Sequence, residues 1–264
     1  MTINFYGAAR PLADDDVRTI AGYLGCQVAS VRAVLAVEAA GKGFDSKGRP
    51  KMLFEPHVFY RNLSGARRDE AVRQGLAYSK WGMKSYPADS YPRLVAAMAI
   101  DEPAALKAAS WGLGQVLGEN YTAAGFSNPH EMVLAMTRSE GAQLYAMARF
   151  IVTKGLQSKL RAFDWAGFAR GYNGAGYKKN AYDTKLASAY AKRPAAEKVT
   201  PPPASVADLA ALVGGAAPAP VPSPSAPVPT PPAPMPPDDP MPVPEPPQPA
   251  PLGFWARLWR ALFG

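Results

Sequence analysis

The sequence predicts an α+β domain, mostly α-helical and carrying one small β-hairpin, followed by a Pro-rich tether and a C-terminal amphipathic helix. Three observations lead there. Apolar residues recur at helical spacing through most of the first 193 positions. One early stretch, Gly43 to Glu55, breaks that period around Ser46-Lys47-Gly48 and reads as a hairpin or looped excursion. Finally, 22 of the 29 prolines fall after residue 193, so the foldable part is residues 1–193, with a disordered Pro/Ala-rich linker over 194–250 and a basic aromatic tail over 251–264.

Taken in order, Asp14 to Asp16 give a dipole-matched start to a helix bearing Val17, Ile20, Tyr23 and Leu24. A second helix carries Val31, Val34, Leu35 and Glu38 at i, i+3, i+4 and i+7 and stops at Gly41 and Gly43. After the excursion, Arg67 to Tyr78 reads as a surface helix and Trp81 to Tyr91 as a loop. Pro92, Pro103 and Pro129 each suit the first turn of a helix. Met136 to Val152 supplies core positions at Leu144, Met147, Ala148 and Ile151. Asp164 caps a short helix with Trp165 and Phe168, and a last helix over Asn180 to Ala191 presents Tyr182, Leu186 and Tyr190.

Over residues 1–193 there are 26 Lys and Arg against 16 Asp and Glu, so the positive charge belongs to the folded part and suits an anionic partner: a cell-wall polymer, nucleic acid or an anionic membrane. The single cysteine, Cys26, excludes an internal disulfide and is expected as a buried thiol. His57 and His130 have no Cys or His companion at ligand spacing, so no metal and no cofactor is expected. The stretch from Met1 to Asp16 lacks a basic start and apolar run, which is not the pattern of a secretory signal peptide.

At the other end, Phe254, Trp255, Leu258, Trp259, Leu262 and Phe263 share half of a helical wheel, with Arg257 and Arg260 opposite. A membrane span needs about 20 apolar residues. The shorter tail instead fits an interfacial anchor, and residues 254–263 are expected to contact a bacterial membrane. Val206 to Val213 is read as no more than a brief helical turn within the tether.

Three separated motifs carry chemistry. Glu38 lies on the stripe that faces the core, where burial disfavours its charged form and suits it to donate a proton near neutral pH. Ala109-Ser-Trp-Gly-Leu-Gly-Gln115 combines small residues that admit a ligand with Ser110 and Gln115 as hydrogen-bonding groups. Gly171-Tyr-Asn-Gly-Ala-Gly-Tyr177 presents Tyr172 and Asn173 on a glycine-bracketed turn. An acid, amides, a hydroxyl and aromatic faces together make a kit for gripping a sugar chain and protonating a glycosidic oxygen, with Trp111 and Tyr172 expected to stack on sugar faces.

The order Glu, then Ser-x-Gly-x-x-Gln, then Tyr-Asn-Gly resembles the signature of the lysozyme-like superfamily. More closely, Val37-Glu-Ala-Ala-Gly-Lys-Gly-Phe44, Gly48-Arg-Pro-Lys-Met-Leu-Phe-Glu55, Ala109 to Val116 and Ala169-Arg-Gly-Tyr-Asn-Gly174 resemble the N-acetylmuramidase domain of phage endolysins, over about residues 13 to 192. The resemblance implies a lysozyme-like fold with Glu38 as general acid. It also implies cleavage of the β-1,4 bond between N-acetylmuramic acid and N-acetylglucosamine in peptidoglycan. On this reading the partner is peptidoglycan rather than nucleic acid, the chain is a monomer, and it is made in the host cytoplasm and reaches the wall through holin-type release or lysis. Such endolysins often carry a separate wall-binding module ahead of the catalytic domain, and the basic aromatic tail has no counterpart in the resemblance.

Hydrolysis by a carboxylate pair needs a second acid about 5 to 9.5 Å from the first. Glu55 and Asp45 flank the excursion that would form the opposite wall, and Glu55 is preferred for its apolar lead-in, Met52-Leu53-Phe54. Glu55 also fits a helix N-terminal acid ahead of Pro56. Two rival functions stay open: a lytic transglycosylase giving 1,6-anhydromuramyl products, and a non-catalytic protein that perturbs wall or membrane through its tail.

Overall fold

The structure, a computed structural model, describes residues 3–39 and 42–214. Gly41, most of the tether and the whole amphipathic tail lie outside the described residues. Helix α1, Asp14–Leu24, opens on three acids, and the Asp16 carboxylate accepts the Ala13 N–H at 2.9 Å. It ends at Gly25, whose φ of 62° only glycine adopts without strain. Helix α2, Val28–Glu38, turns away at 110° and buries Val31, Val34 and Glu38, the predicted stripe. Cys26 is buried in the turn between these helices rather than inside one, and burial pushes its thiol up to about 12.

The excursion is a turn at residues 45–48 leading into strand β1, Met52–Phe54. Helices α3, Pro56–Asn62, and α4, Gly65–Arg73, follow. The segment α5, Tyr91–Lys107, is two helices merged across a kink at Asp101, whose carboxylate accepts the Ala104 N–H at 2.9 Å just after Pro103. Strands β2, Ala109–Trp111, and β3, Val116–Leu117, then complete an antiparallel sheet of order β1-β2-β3. Its register pairs Leu53 with Ser110 and Ser110 with Leu117. The early excursion is a small hairpin, with Phe44 bridged antiparallel to Pro50 and the Lys51 N–H donating to the Gly43 carbonyl at 2.7 Å, and the second motif forms another between β2 and β3. Within the turn, Gly112 and Gln115 both have positive φ, 66° and 45°.

Helix α6, Pro129–Arg138, starts at the predicted proline, and α7, Glu140–Thr153, begins four residues after Met136, where the spacing starts the next helical stretch. The chain breaks at Ser139, which is extended and caps α7 through its hydroxyl. Most of α7 is buried all round, so it is the axle of the core. Helices α8, Gln157–Arg161, α9, Trp165–Asn173, and α10, Tyr182–Ala191, close the domain, with α10 packed on α2 and α9. Asp164 caps α9 by accepting the Gly167 N–H at 2.8 Å, as predicted.

The domain does not end at 193. Glu197 pairs with Arg32 at 3.0 Å, the Val199 carbonyl accepts the Val28 N–H at 3.4 Å, and Pro202 crosses so close to Gly22 that a Cβ there would collide with its carbonyl oxygen. Helix α11, Val206–Val213, then docks on α1, α6 and α7, burying Leu209, Leu212 and Val213. Ser205 and Asp208 form a reciprocal capping box, and Arg138 donates to the Val213 carbonyl at 2.6 Å. Residues 195–214 are thus a clasp across the back of the domain. Where the sequence reads a tether from 194 with a brief helical turn at Val206 to Val213, the described chain stays packed on the domain through residue 214, because that octapeptide is amphipathic.

Candidate active site

A cleft of about 340 Å³ lies between the sheet, the C-terminal end of α7 and the C-terminal end of α9. Its size suits a segment of a small ligand or polymer. Glu38, Ser110, Gln115, Tyr172 and Asn173, from the three motifs, all line it.

Glu38 is the last residue of α2 and only 2% exposed. Its Oε1 accepts from Asn173 Nδ2 at 2.8 Å. Asn173 is the last residue of α9, and Gly174, with φ 81°, lets the chain leave sharply so that the amide points back to the acid. The tyrosine before it stacks on Phe168 at 5.5 Å and meets the edge of Phe150 at 5.9 Å. Burial raises the Tyr172 hydroxyl well above its ordinary pKa, and the neighbouring Glu38 charge raises it further. It stays protonated and donates to the Gly114 carbonyl at 2.9 Å, joining the third motif to the second.

The second motif works as a hairpin. Ser110, in the middle of β2, reaches the cleft, and strand alternation sends Trp111 the other way. Trp111 is fully buried, stacked on Phe5 at 5.9 Å, with its indole N–H donating to the Leu106 carbonyl at 3.1 Å. The expected sugar-stacking role for Trp111 is therefore corrected: it is a core residue, because the motif is a strand and not a loop. Gln115 donates through Nε2 to the carbonyls of Lys51 and Gly112, at 3.2 and 2.7 Å, while its Oε1 is buried with no partner among the described residues.

The two candidate second acids sit differently. Glu55 follows β1 in extended conformation, its N–H donating to the Ala108 carbonyl at 2.7 Å. It lies two residues beyond Leu53, the cross-strand partner of Ser110, so it shares the sheet face that Ser110 turns to the cleft. Its carboxylate is buried, accepts the Tyr86 hydroxyl, and lies 3.4 Å from His57 Nδ1. Glu55 does not line the open cleft. Asp45 does not either: it accepts the N–H groups of Lys47 and Arg49 at 2.9 Å each and pairs with the Arg49 guanidinium at 2.7 Å. Arg49 also reaches Asp89 at 3.1 Å and lies 3.9 Å from the centre of the Tyr91 ring. Asp45 organises a turn.

The sequence did not single out the residues that hold these motifs in place. Glu140 accepts the Gly43 N–H at 2.6 Å and the Leu12 N–H at 2.8 Å, fixing the chain just beyond Glu38. Gln143, fully buried, accepts the Leu113 N–H at 2.7 Å and fixes the hairpin turn. Their signal was a glutamate and a glutamine, three residues apart, at the start of a core helix. Among the described residues, no group of three His, Cys, Asp or Glu stands where it could hold a metal ion.

This arrangement has relatives. The N-acetylmuramidase family model matches residues 27–193, which takes in all three motifs. The crystal structure of the Burkholderia AP3 phage endolysin is 39% identical in sequence and superposes with a TM-score of 0.65, covering 69% of this chain and 71% of that one. No curated protein matches significantly. A helical lysozyme-like fold, a buried acid facing a sugar-sized cleft, and a family match spanning both lead to one conclusion: the chain belongs to the N-acetylmuramidase family and is a peptidoglycan hydrolase of the phage endolysin type.

Proposed function

We propose that Glu38 is the general acid that protonates the glycosidic oxygen of the β-1,4 bond between N-acetylmuramic acid and N-acetylglucosamine, with Glu55 as the second carboxylate. The observation that carries the reading is the Glu38–Asn173 hydrogen bond at the wall of the cleft. It joins a buried acid to a neutral amide, which orients the carboxyl. As the proton passes to the leaving oxygen, the bond to the anomeric carbon breaks and positive charge develops on the ring. Glu55, on the same sheet face as Ser110, offers the compensating charge, and water completes the hydrolysis. Ser110, Gln115, Tyr172 and Asn173 position the glycan.

Glu38→Gln keeps the shape of the side chain and removes the transferable proton. Its expected effect is a fall of about a thousandfold in the clearing of outer-membrane-stripped cells. Clearing equal to that of the parent would remove Glu38 from the mechanism. Mass analysis of the released muropeptides should give reducing ends one water heavier than 1,6-anhydro products. We further propose that the protein works as a monomer on peptidoglycan in the periplasm after release from the host cytoplasm, and that residues 254–263, apolar on one face and basic on the other, engage a membrane.

A further inference from the structure

We propose that Lys154 recognises the acidic substituent of the muramic acid unit and so sets which bond of the strand meets Glu38. The inference rests on the reading of the Glu38 cleft as the glycan site. Glu38 and Lys154 are the charged residues among the described residues lining that cleft. Lys154 follows the last residue of α7, its N–H donating to the Phe150 carbonyl at 3.0 Å. Its ammonium lies 5.5 Å from the centre of the Phe150 ring, which in turn meets Tyr172 edge-on. Thr153 Oγ1 donates to the Ala123 carbonyl at 3.0 Å, tying this end of α7 to the segment that brings Asn120 to the same cleft. Among the described residues, no carboxylate stands within ion-pair distance of Lys154.

An exposed cation at the edge of a sugar cleft, with no carboxylate in ion-pair distance among the described residues, is informative because the sugars of peptidoglycan are themselves neutral. The negative charge of the strand lies on the lactyl arm of muramic acid, either as its own carboxylate or as the carboxylates of the peptide attached to it. Muramic acid and glucosamine alternate along the strand. Anchoring one muramic acid through its anionic arm fixes the register, so that only one of the two alternating β-1,4 bonds is presented to the acid.

The test compares the full-length parent with Lys154→Ala and Lys154→Arg on purified glycan strands, native or with their carboxylates converted to amides. On native strands Lys154→Ala should raise KM about fivefold with little change in kcat, the size expected of a partly exposed ion pair, and Lys154→Arg should restore it. On amidated strands the parent and Lys154→Ala should perform alike. Peptide-stripped strands, on which the lactyl carboxyl is freed from its amide bond, identify the source: an effect that persists shows that the lactyl carboxylate can take the place of those of the peptide, and one that vanishes assigns the peptide. No effect on native strands, or an equal loss on native and amidated strands, overturns the proposal. Glu38→Gln assayed on the same strands separates this from a failure of the cleft reading, which would show as undiminished cleavage by that variant.

Discussion

The carboxylate on the helical wall of the cleft and those behind its sheet side stand in opposite surroundings. On the helical wall, Glu38 ends α2 with an amide from α9 for a neighbour, and the site is assembled from helix termini that come together only in the folded chain. On the sheet side, Asp45 is clamped by Arg49 within its own turn, and Glu55 is buried against Tyr86 and His57. Burial alone would raise the Asp89 carboxyl at the edge of that clamp, but the Tyr91 N–H and Arg49 outweigh it and hold it below its ordinary value. A carboxylate beside a guanidinium is kept ionised and becomes a structural strut. Glu38 instead meets a neutral amide and lines the cleft. The neighbours of an acid, more than its place in the sequence, decide which it becomes.

That contrast can be broken in stages. Glu55→Gln should lower kcat about a hundredfold while leaving the melting temperature near that of the parent, and a loss no larger than that of Asp45→Asn would take Glu55 out of the reaction. Asn173→Ala removes the amide that orients Glu38 and should lower kcat about tenfold with KM nearly unchanged; a pure KM effect would make Asn173 a sugar-binding group only. Truncation after residue 193 should lower the melting temperature by about 5 °C relative to truncation after residue 214, since only the shorter chain loses the buried side chains of α11. Equal melting temperatures would mean that the clasp contributes nothing to the scaffold behind the helical wall.

The smallest effect is expected at the turn. Asp45→Asn should cost about 1 kcal/mol of stability and less than a factor of two in kcat. Because the folded-state Asp89 carboxyl is depressed, its share of the clamp is fully present above the ordinary carboxyl value of 3.8 and lost as pH falls through the lower folded value. Acid unfolding of Arg49→Met should therefore be less steep below that value than acid unfolding of the parent.

Where a signal was local, it was readable in the chain. The Val31, Val34, Leu35, Glu38 spacing put an acid on a buried stripe, Asp164 and Pro129 marked helix starts, and the glycine-bracketed Tyr172-Asn173 pair marked a cleft-lining segment, which is the end of a helix where a turn was expected. Where the outcome depended on partners remote in sequence, it was not. Whether Trp111 met solvent or core turned on Ala109–Trp111 pairing with Met52–Phe54, more than fifty positions earlier. Likewise, Val206–Val213 became a docked helix only because α1, α6 and α7 leave an apolar face for it, and a composition average over the prolines around it cannot register such a face.

By itself, the amino-acid order determined that this protein would be a mostly helical domain with a buried acid and two hydrogen-bonding glycine-rich motifs, because periodicity and turn chemistry act over a few residues. Only the tertiary structure decided that Asn173 would meet Glu38 and that Lys154 would stand at the same cleft. Those are contacts across up to 135 residues, set by how the helices and the sheet pack together.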